Sequence, residues 1–520
     1  MGKNTHTLSD ASTGSVFTSP KILEKYSTDG SGLTITPEFV VFPKSTTEVQ
    51  NLVRFVASAK KDIPTLSITP RGSGTNEVGS AITSSIILST ERLDNLLDID
   101  KRERLIRVQP GITVKELKKI LAVHGLVFPI YGHDSSTIGG LISTDPADAS
   151  PVKDGSILPY IRQLEVVLPS GDIIKTRKLS SRTLTRKLKS RTPESKLYRS
   201  LSALTKEHDT TINHISRDFI TRAGYPNITQ YRQGSTTSLT PLFVGAEGTL
   251  GIITEVVLRV SLASTTKKRL VARFSRLHEA GKFLTTISAL HPTRLDIYDT
   301  RLFRDPIKIP SPLKTLIDSD DQHFMIFAEF TGHTAQVSQK INKISPTLPT
   351  SSSLLFETRS NKSTFDKLQA FLIATTEQHY VATPPLFRNI YLPSWNLSSF
   401  INDLALIEHA LKVTAPLCGS IATGAYHLFP VFSALHSPRT PDKFTQIVNT
   451  CIDRQGGSIA GVSPVGRTKA FYASSTLTPE VEELYRTIKF IFDPDNLMNP
   501  YVNLLLPPAS DFSTNPAKTA

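Results

Sequence analysis

Three glycine-bearing loops constrain this chain more than any other feature. The first is Pro70-Arg71-Gly72-Ser73-Gly74-Thr75-Asn76 and the second is Asp134-Ser135-Ser136-Thr137-Ile138-Gly139-Gly140. The third is Gly245-Ala246-Glu247-Gly248-Thr249-Leu250-Gly251-Ile252-Ile253-Thr254-Glu255. A pyrophosphate is held by several backbone N–H groups converging at short range, and a Cβ in their midst blocks the approach. Gly72 and Gly74 leave the backbone bare, while Ser73, Thr75 and Asn76 add side-chain donors. Taken singly, each loop also suits an ordinary tight turn. Together and in this order they point to a large phosphate-bearing cofactor that carries the chemistry. The Rossmann fingerprint fails on spacing. G-x-G-x-x-G must open a helix, whereas the glycine after Gly74 is Gly79 and no helical period starts there.

With 520 residues the chain exceeds one ordinary core, so two or more domains are expected. A hydrophobic share of 39% with 20% charged residues marks a soluble globular class. No apolar run reaches membrane-spanning length, and the polar Met1–Ser19 stretch lacks a secretory core. Cys418 and Cys451 are the only cysteines, which gives neither a disulfide framework nor a cysteine metal cluster, and a cytoplasmic location is the simple expectation. The net charge of +13 is concentrated: residues 175–191 hold eight Lys or Arg and no acid. That stretch reads either as a solvated surface loop or as a contact for the anionic inner face of a membrane. It has no aromatic residue for base stacking, so no nucleic-acid partner is expected.

Residues 1–35 read as a loose lead-in. Phe39–Phe42, Thr65–Thr69, Ile86–Leu88 and Leu105–Val108 read as strands. Capping boxes at Ser45–Glu48 and Thr113–Glu116 open helices. Leu164–Leu168 and Ile173–Ile174 form a hairpin about a Pro-Ser-Gly-Asp turn. This irregular alternation predicts an α+β cofactor-binding domain over 36–262. A second α+β unit follows over 263–490, with an amphipathic helix over Leu277–Leu290 and a strand over Phe324–Phe330. A segment over 491–506 returns to the first domain, and 507–520 is a disordered tail.

On these loops, with Tyr26–Gly30, Val40–Pro43 and the Asp493-Pro494…Asn499-Pro500 ending, the chain resembles the vanillyl-alcohol oxidase / p-cresol methylhydroxylase superfamily. Its branch is that of FAD-dependent D-lactate dehydrogenases, glycolate oxidase large subunits and 2-hydroxyglutarate dehydrogenases. The resemblance spans about residues 25–505. It implies a two-subdomain, p-cresol methylhydroxylase-type flavin domain and an α+β cap of the FAD-linked oxidase C-terminal type. It assigns FAD contacts to Pro70, Arg71, Gly72, Ser73, Gly74, Thr75 and Asn76, and to Asp134, Ser135, Ser136, Thr137, Ile138, Gly139, Gly140 and Thr144. Glu247, Gly248, Ile252, Ile253 and Asn499 complete that set. Some relatives tether FAD through a histidine in the first loop. None stands here, and His133 reads as a turn residue, so non-covalent binding is expected.

The cap departs from the family pattern. Its metal motifs, G-H-x-G-D-G-N-x-H and S-G-E-H-G, align with Gly419–His427 and Ala460–Pro464. Ser420, Thr423, Ala425, Val462 and Ser463 replace the expected residues, so no metal is expected. His427 survives, either as general base for a substrate hydroxyl or as a packing histidine. Arg388 is the candidate cation for a substrate carboxylate, with Arg467 and Lys469 as further options. The resemblance thus implies an FAD-dependent oxidoreductase acting on an alcohol or D-lactate-like 2-hydroxy acid, with hydride passing to flavin N5 and an unknown electron acceptor. The alternative is a flavin-binding partner subunit with lost or weak dehydrogenase activity.

Overall fold

The computed structural model describes residues 16–129, 133–146, 156–218, 223–263, 266–276, 280–303, 309–317, 323–344, 346, 353–433, 437–461 and 464–504. The chain divides into two compact units. Of the described residues, the first takes 16–146, 157–261 and 464–504; the second takes 156 and 262–461. The expected tail and residues 1–15 of the lead-in lie outside the described residues.

The two larger sheets of the first unit carry its core. In one, Val16–Phe17, Phe39–Val41, Ile86–Ser89 and Ile68–Arg71 lie side by side in that order. The last three pair in parallel. Beside it, the helix Thr46–Ala59 buries Val49, Leu52, Val53 and Val56, the stripe its spacing predicts. Ser45 accepts from the Glu48 amide, but Glu48 reaches back to the Lys44 amide, so only half of the expected box forms. At Thr113 and Glu116 both halves are present. The other sheet is antiparallel: Leu96–Asp100, Leu105–Val108, Ile252–Arg259, Ile161–Val167 and Ile173–Thr176. The expected hairpin is its last pair.

The segment 464–490, expected in the second unit, falls in the first. The cause is the apolar face of helix Pro479–Phe492, which buries Val481, Leu484, Tyr485, Ile488 and Phe492. Tyr485 meets the Tyr225 ring edge-on, and Phe492 meets Phe243 likewise. Within 175–191, Ser181–Leu188 is a helix rather than the expected loop, because Ser180 caps it and Arg186 and Lys187 complement its C-terminal dipole.

The second unit is a seven-stranded antiparallel sheet. Its order is Ser353–Phe356, Thr266–Phe274, Phe324–Gly332, Arg294–Asp299, Leu417–Ser420, Ala425–Leu428 and Ile390–Tyr391. The helix Lys362–Ala382 contributes Phe365, Leu368 and Leu372 to one core with Val271, Met325, Phe327 and Cys418. The helix expected over Leu277–Leu290 runs over Gly281–Ala289; residues 277–279 lie outside the described set.

Candidate functional site

The first unit brings the three loops together. The first leaves the C-terminal end of strand Ile68–Arg71, where open α/β sheets bind ligands. The second caps the helix Ile138–Thr144, with Thr137 Oγ1 accepting from the Gly140 amide at 3.2 Å. The third feeds the strand Ile252–Arg259, where Ile252 and Ile253 pair with Val167 and Val166. A Cβ on Gly72 would stand 2.1 Å from Thr137 Oγ1, and one on Gly248 only 2.4 Å from Pro70 Cγ. Thr75 Oγ1 lies 3.2 Å from Ser136 Oγ. First and second loops therefore touch, as do first and third.

The amides of Gly72, Ser73, Gly74, Thr75 and Asn76 donate no hydrogen bond among the described residues. Asn76 Nδ2 is buried without a partner there. Unspent donors on a bare backbone fit a diphosphate, whose oxygens would satisfy them.

The remaining predicted contacts divide by what their side chains do. Ser73 Oγ lies 3.4 Å from Thr75 Oγ1. Ile138 and Gly139 are buried, Ser135 is exposed, and Thr144 donates back to the Gly140 carbonyl. Asp134 is exposed and pairs with Lys118 at 3.0 Å. Arg71 turns its guanidinium inward, donating to the Tyr26 and Ala81 carbonyls and stacking 5.0 Å over the Tyr26 ring. There it packs against Gly74, whose Cβ would stand 2.2 Å from Nη2, so the side chain shapes the loop from inside. Asn499 is spent on the fold: Oδ1 accepts from Thr69, while Nδ2 donates to the Ser80 and Glu247 carbonyls at 2.9 and 2.7 Å. Glu247, with φ of 52°, accepts from the amides of Val465 and Gly466. Asn499 and Glu247 thus hold the loops in place.

Burial pushes the Glu247 carboxyl up to about 7 from its ordinary 4.5. A carboxyl raised in the folded state favours the protonated form. Its stabilising share is fully present below about 4.5 and is lost as pH rises through about 7. Glu247→Gln is therefore expected to flatten the fall in melting temperature between pH 5 and 8. Above pH 7 it should gain up to about 3 kcal/mol over the parent. An unchanged pH profile in thermal melts would contradict this.

In the second unit, the register pairs Cys418 with His427 and places both side chains on one face of the sheet. Helix Lys362–Ala382 lies on that face, since Thr376 Oγ1 is 3.8 Å from Cys418 Sγ. One turn on, Tyr380 Oη sits 3.0 and 3.1 Å from the two ring nitrogens of His427. The Asn389 amide donates to Nδ1 at 3.2 Å. The lone pair that a general base needs at Nδ1 is therefore already engaged, which disfavours the role of base. Arg388 is buried, its ring-stacked guanidinium donating to the carbonyls of Tyr380 and Thr383 at the end of that helix. Arg388 thus caps that helix through Nη2, which leaves less of its fork for the expected substrate carboxylate. Arg467 and Lys469 belong to the first unit, where Arg467 donates to the Ile82 carbonyl. Among the described residues no group of three His, Cys, Asp or Glu could hold a metal ion; Val462 and Ser463 lie outside them.

Tyr380, Asn389 and Lys489 escape the sequence. The i, i+4 pair Lys489 and Asp493 is visible there, but nothing marks it as buried. Tyr380 and Asn389 carry no motif and meet His427 only through folding.

Comparison with known proteins adds the chemistry. A family model described as "FAD binding domain" matches residues 37–177, and one described as "FAD linked oxidases, C-terminal domain" matches 264–502. The chain is similar to glycolate oxidase subunit GlcD of Bacillus subtilis, 24% identical, covering 89% of this chain and 88% of that one. It is 22% identical to a D-lactate dehydrogenase of Anaerostipes hadrus, covering 89% of each. It is 23% identical to a D-2-hydroxyglutarate dehydrogenase of Pantoea ananatis, of which it spans only 50%. Among solved structures, 4-ethylphenol oxidase from Gulosibacter chungangensis superposes with a TM-score of 0.65 at 15% identity, covering 98% of both chains. An alkyldihydroxyacetonephosphate synthase does so at 0.62 and 18%, covering 94% of this chain and 82% of that one. At such identities these two speak to the fold alone.

Proposed function

Since the chain belongs to the FAD-linked oxidases of the p-cresol methylhydroxylase type, we propose that this FAD-dependent oxidoreductase oxidises an alcohol or a D-lactate-like 2-hydroxy acid. The observation that carries the reading is the row of unspent amides at 72–76, packed against the second and third loops. Pro70 to Asn76, Ser136 to Gly140 and Gly248 would hold the cofactor non-covalently, largely through backbone. Asp134, Ser135, Thr144, Ile252 and Ile253 shape the loops around it. FAD, when bound, supplies a hydride acceptor. The protein's share is to hold it, exclude water and orient the substrate's carbon and hydroxyl.

The test is spectroscopic. Purified protein is expected to be yellow, and anaerobic D-lactate, glycolate or D-2-hydroxyglutarate is expected to bleach the flavin band. Colourless protein that takes up no added FAD overturns the reading. A stable spectrum with every acid favours the second reading, a flavin-binding partner subunit, which the replacements at Ser420, Thr423 and Ala425 support.

The basic stretch 175–191 supports peripheral contact with an anionic membrane: helix Ser181–Leu188 buries no side chain. Among its cations, Lys175 and Lys187 pair with Glu165 and Glu194. Among the described residues, no helix is long and apolar enough to cross a membrane. Binding to phosphatidylserine vesicles in co-sedimentation is expected at about 50 mM salt and to fall several-fold at about 500 mM. Equal recovery with neutral vesicles rules the contact out.

A further inference from the structure

Asn389 carries a buried acceptor that no described residue satisfies. Its φ is 54°, in the left-handed region. It is 9% exposed, and its side-chain oxygen has no partner among the described residues. Its amide is spent on His427 Nδ1. A buried acceptor without a donor costs roughly 1–3 kcal/mol, a cost that the hydroxyl of a ligand would offset.

The surroundings hold this oxygen rigidly. A Cβ on Gly461 would stand 1.7 Å from the Asn389 carbonyl oxygen, so the chain behind Asn389 is in tight contact. The next residues, Ile390 and Tyr391, pair with Tyr426 and Ala425, and Tyr391 also bridges Ser458. An amide N–H only donates, so Nδ1 of His427 accepts and the neutral ring carries its proton on Nε2. Tyr380 Oη lies 3.0 Å from Nδ1 and 3.1 Å from Nε2. The imidazole is thereby fixed in one tautomer and fixes the Asn389 backbone in turn.

We propose that Asn389 Oδ1 is the acceptor for the hydroxyl group of the substrate, with His427 and Tyr380 as the residues that position it. This rests on the oxidoreductase reading and specifies its substrate half. The ligand class is a small 2-hydroxy acid whose hydroxyl donates to Asn389. A site built to pair a hydroxyl rejects the analogue without one, because its own polar group is then left unpaired.

The experiment uses FAD-loaded protein, reduced by dithionite under anaerobic conditions so that no turnover occurs. Calorimetry compares D-lactate with propionate and D-2-hydroxyglutarate with glutarate. In the parent, at least one hydroxy acid is expected to bind about 10- to 100-fold more tightly than its deoxy partner. Asn389→Gly keeps the left-handed backbone and the amide on His427 while removing Oδ1. It should bring that ratio close to one with flavin content unchanged and the melting temperature not lowered, and Asn389→Asp, which retains an acceptor, should restore part of it. His427→Gln should keep part of the ratio and His427→Ala lose it. A parent ratio near one, binding of no acid, or an unchanged ratio in Asn389→Gly overturns the proposal. Bleaching of the oxidised flavin by any alcohol would, in those cases, leave the oxidoreductase reading standing.

Discussion

Gly248→Ala is expected to strip the protein of flavin. At φ of 71° the position already disfavours any side chain, and the new methyl would stand 2.4 Å from Pro70 Cγ and 3.1 Å from Cδ. A proline ring has no rotamer to yield, so the third loop must withdraw from the first. Asn499 bonds both sides of that contact, through Thr69 and the Glu247 carbonyl, and transmits the displacement. Strain and overpacking together should cost roughly 2–4 kcal/mol, with FAD affinity falling at least about tenfold. Gly281→Ala is the control, since nothing lies within 4 Å of its would-be Cβ. Parental flavin content and melting temperature in Gly248→Ala would show that the two loops are not in contact.

Lys489→Met is expected to have the largest effect on stability. The ammonium is buried, donating to Asp493 Oδ2 at 2.6 Å and to the carbonyls of Thr249 and Met498 at 2.8 Å each. Burial lowers its pKa, and the Asp493 carboxylate opposes that. Asp493 also accepts from the amides of Leu497 and Met498. Removing the cation leaves a carboxylate in the core and two carbonyls without their donor, a loss of about 3–5 kcal/mol. Adding Asp493→Asn should recover part of it, because the amide oxygen still accepts while the charge is gone. Denaturant unfolding of the FAD-loaded variants reads both. Equal stability of parent and Lys489→Met would mean that the pair is solvated.

What could be read in advance follows from where the information lies. Gly72, Gly74 and Gly248 announce themselves because a missing side chain is visible in a string of letters, although the groups that crowd Gly72 and Gly248, Thr137 and Pro70, lie far along the chain. Helix Thr46–Ala59 is legible because its cap and its apolar stripe lie within a few turns. Arg71, Glu247 and Asn499 read as ligand contacts, yet their side chains are spent on carbonyls and amides far along the chain. No local pattern distinguishes a polar side chain that grips a cofactor from one that grips the loop that does. In the second unit, Arg388 likewise gives Nη2 to helix-end carbonyls, a bond that no local pattern announces.

By itself the sequence determined the α+β class and the bare-backbone loops, because missing side chains and periodic burial are written into consecutive residues, while FAD as the cofactor came from the family resemblance. Only the tertiary structure decided that residues 464–490 belong with the flavin-binding unit, since that depends on Tyr485 and Phe492 finding Tyr225 and Phe243. It also decided which polar groups remain unspent. Hydrogen-bond partners more than a turn apart are chosen by packing, so the idle oxygen of Asn389 becomes visible only once every neighbour has been placed.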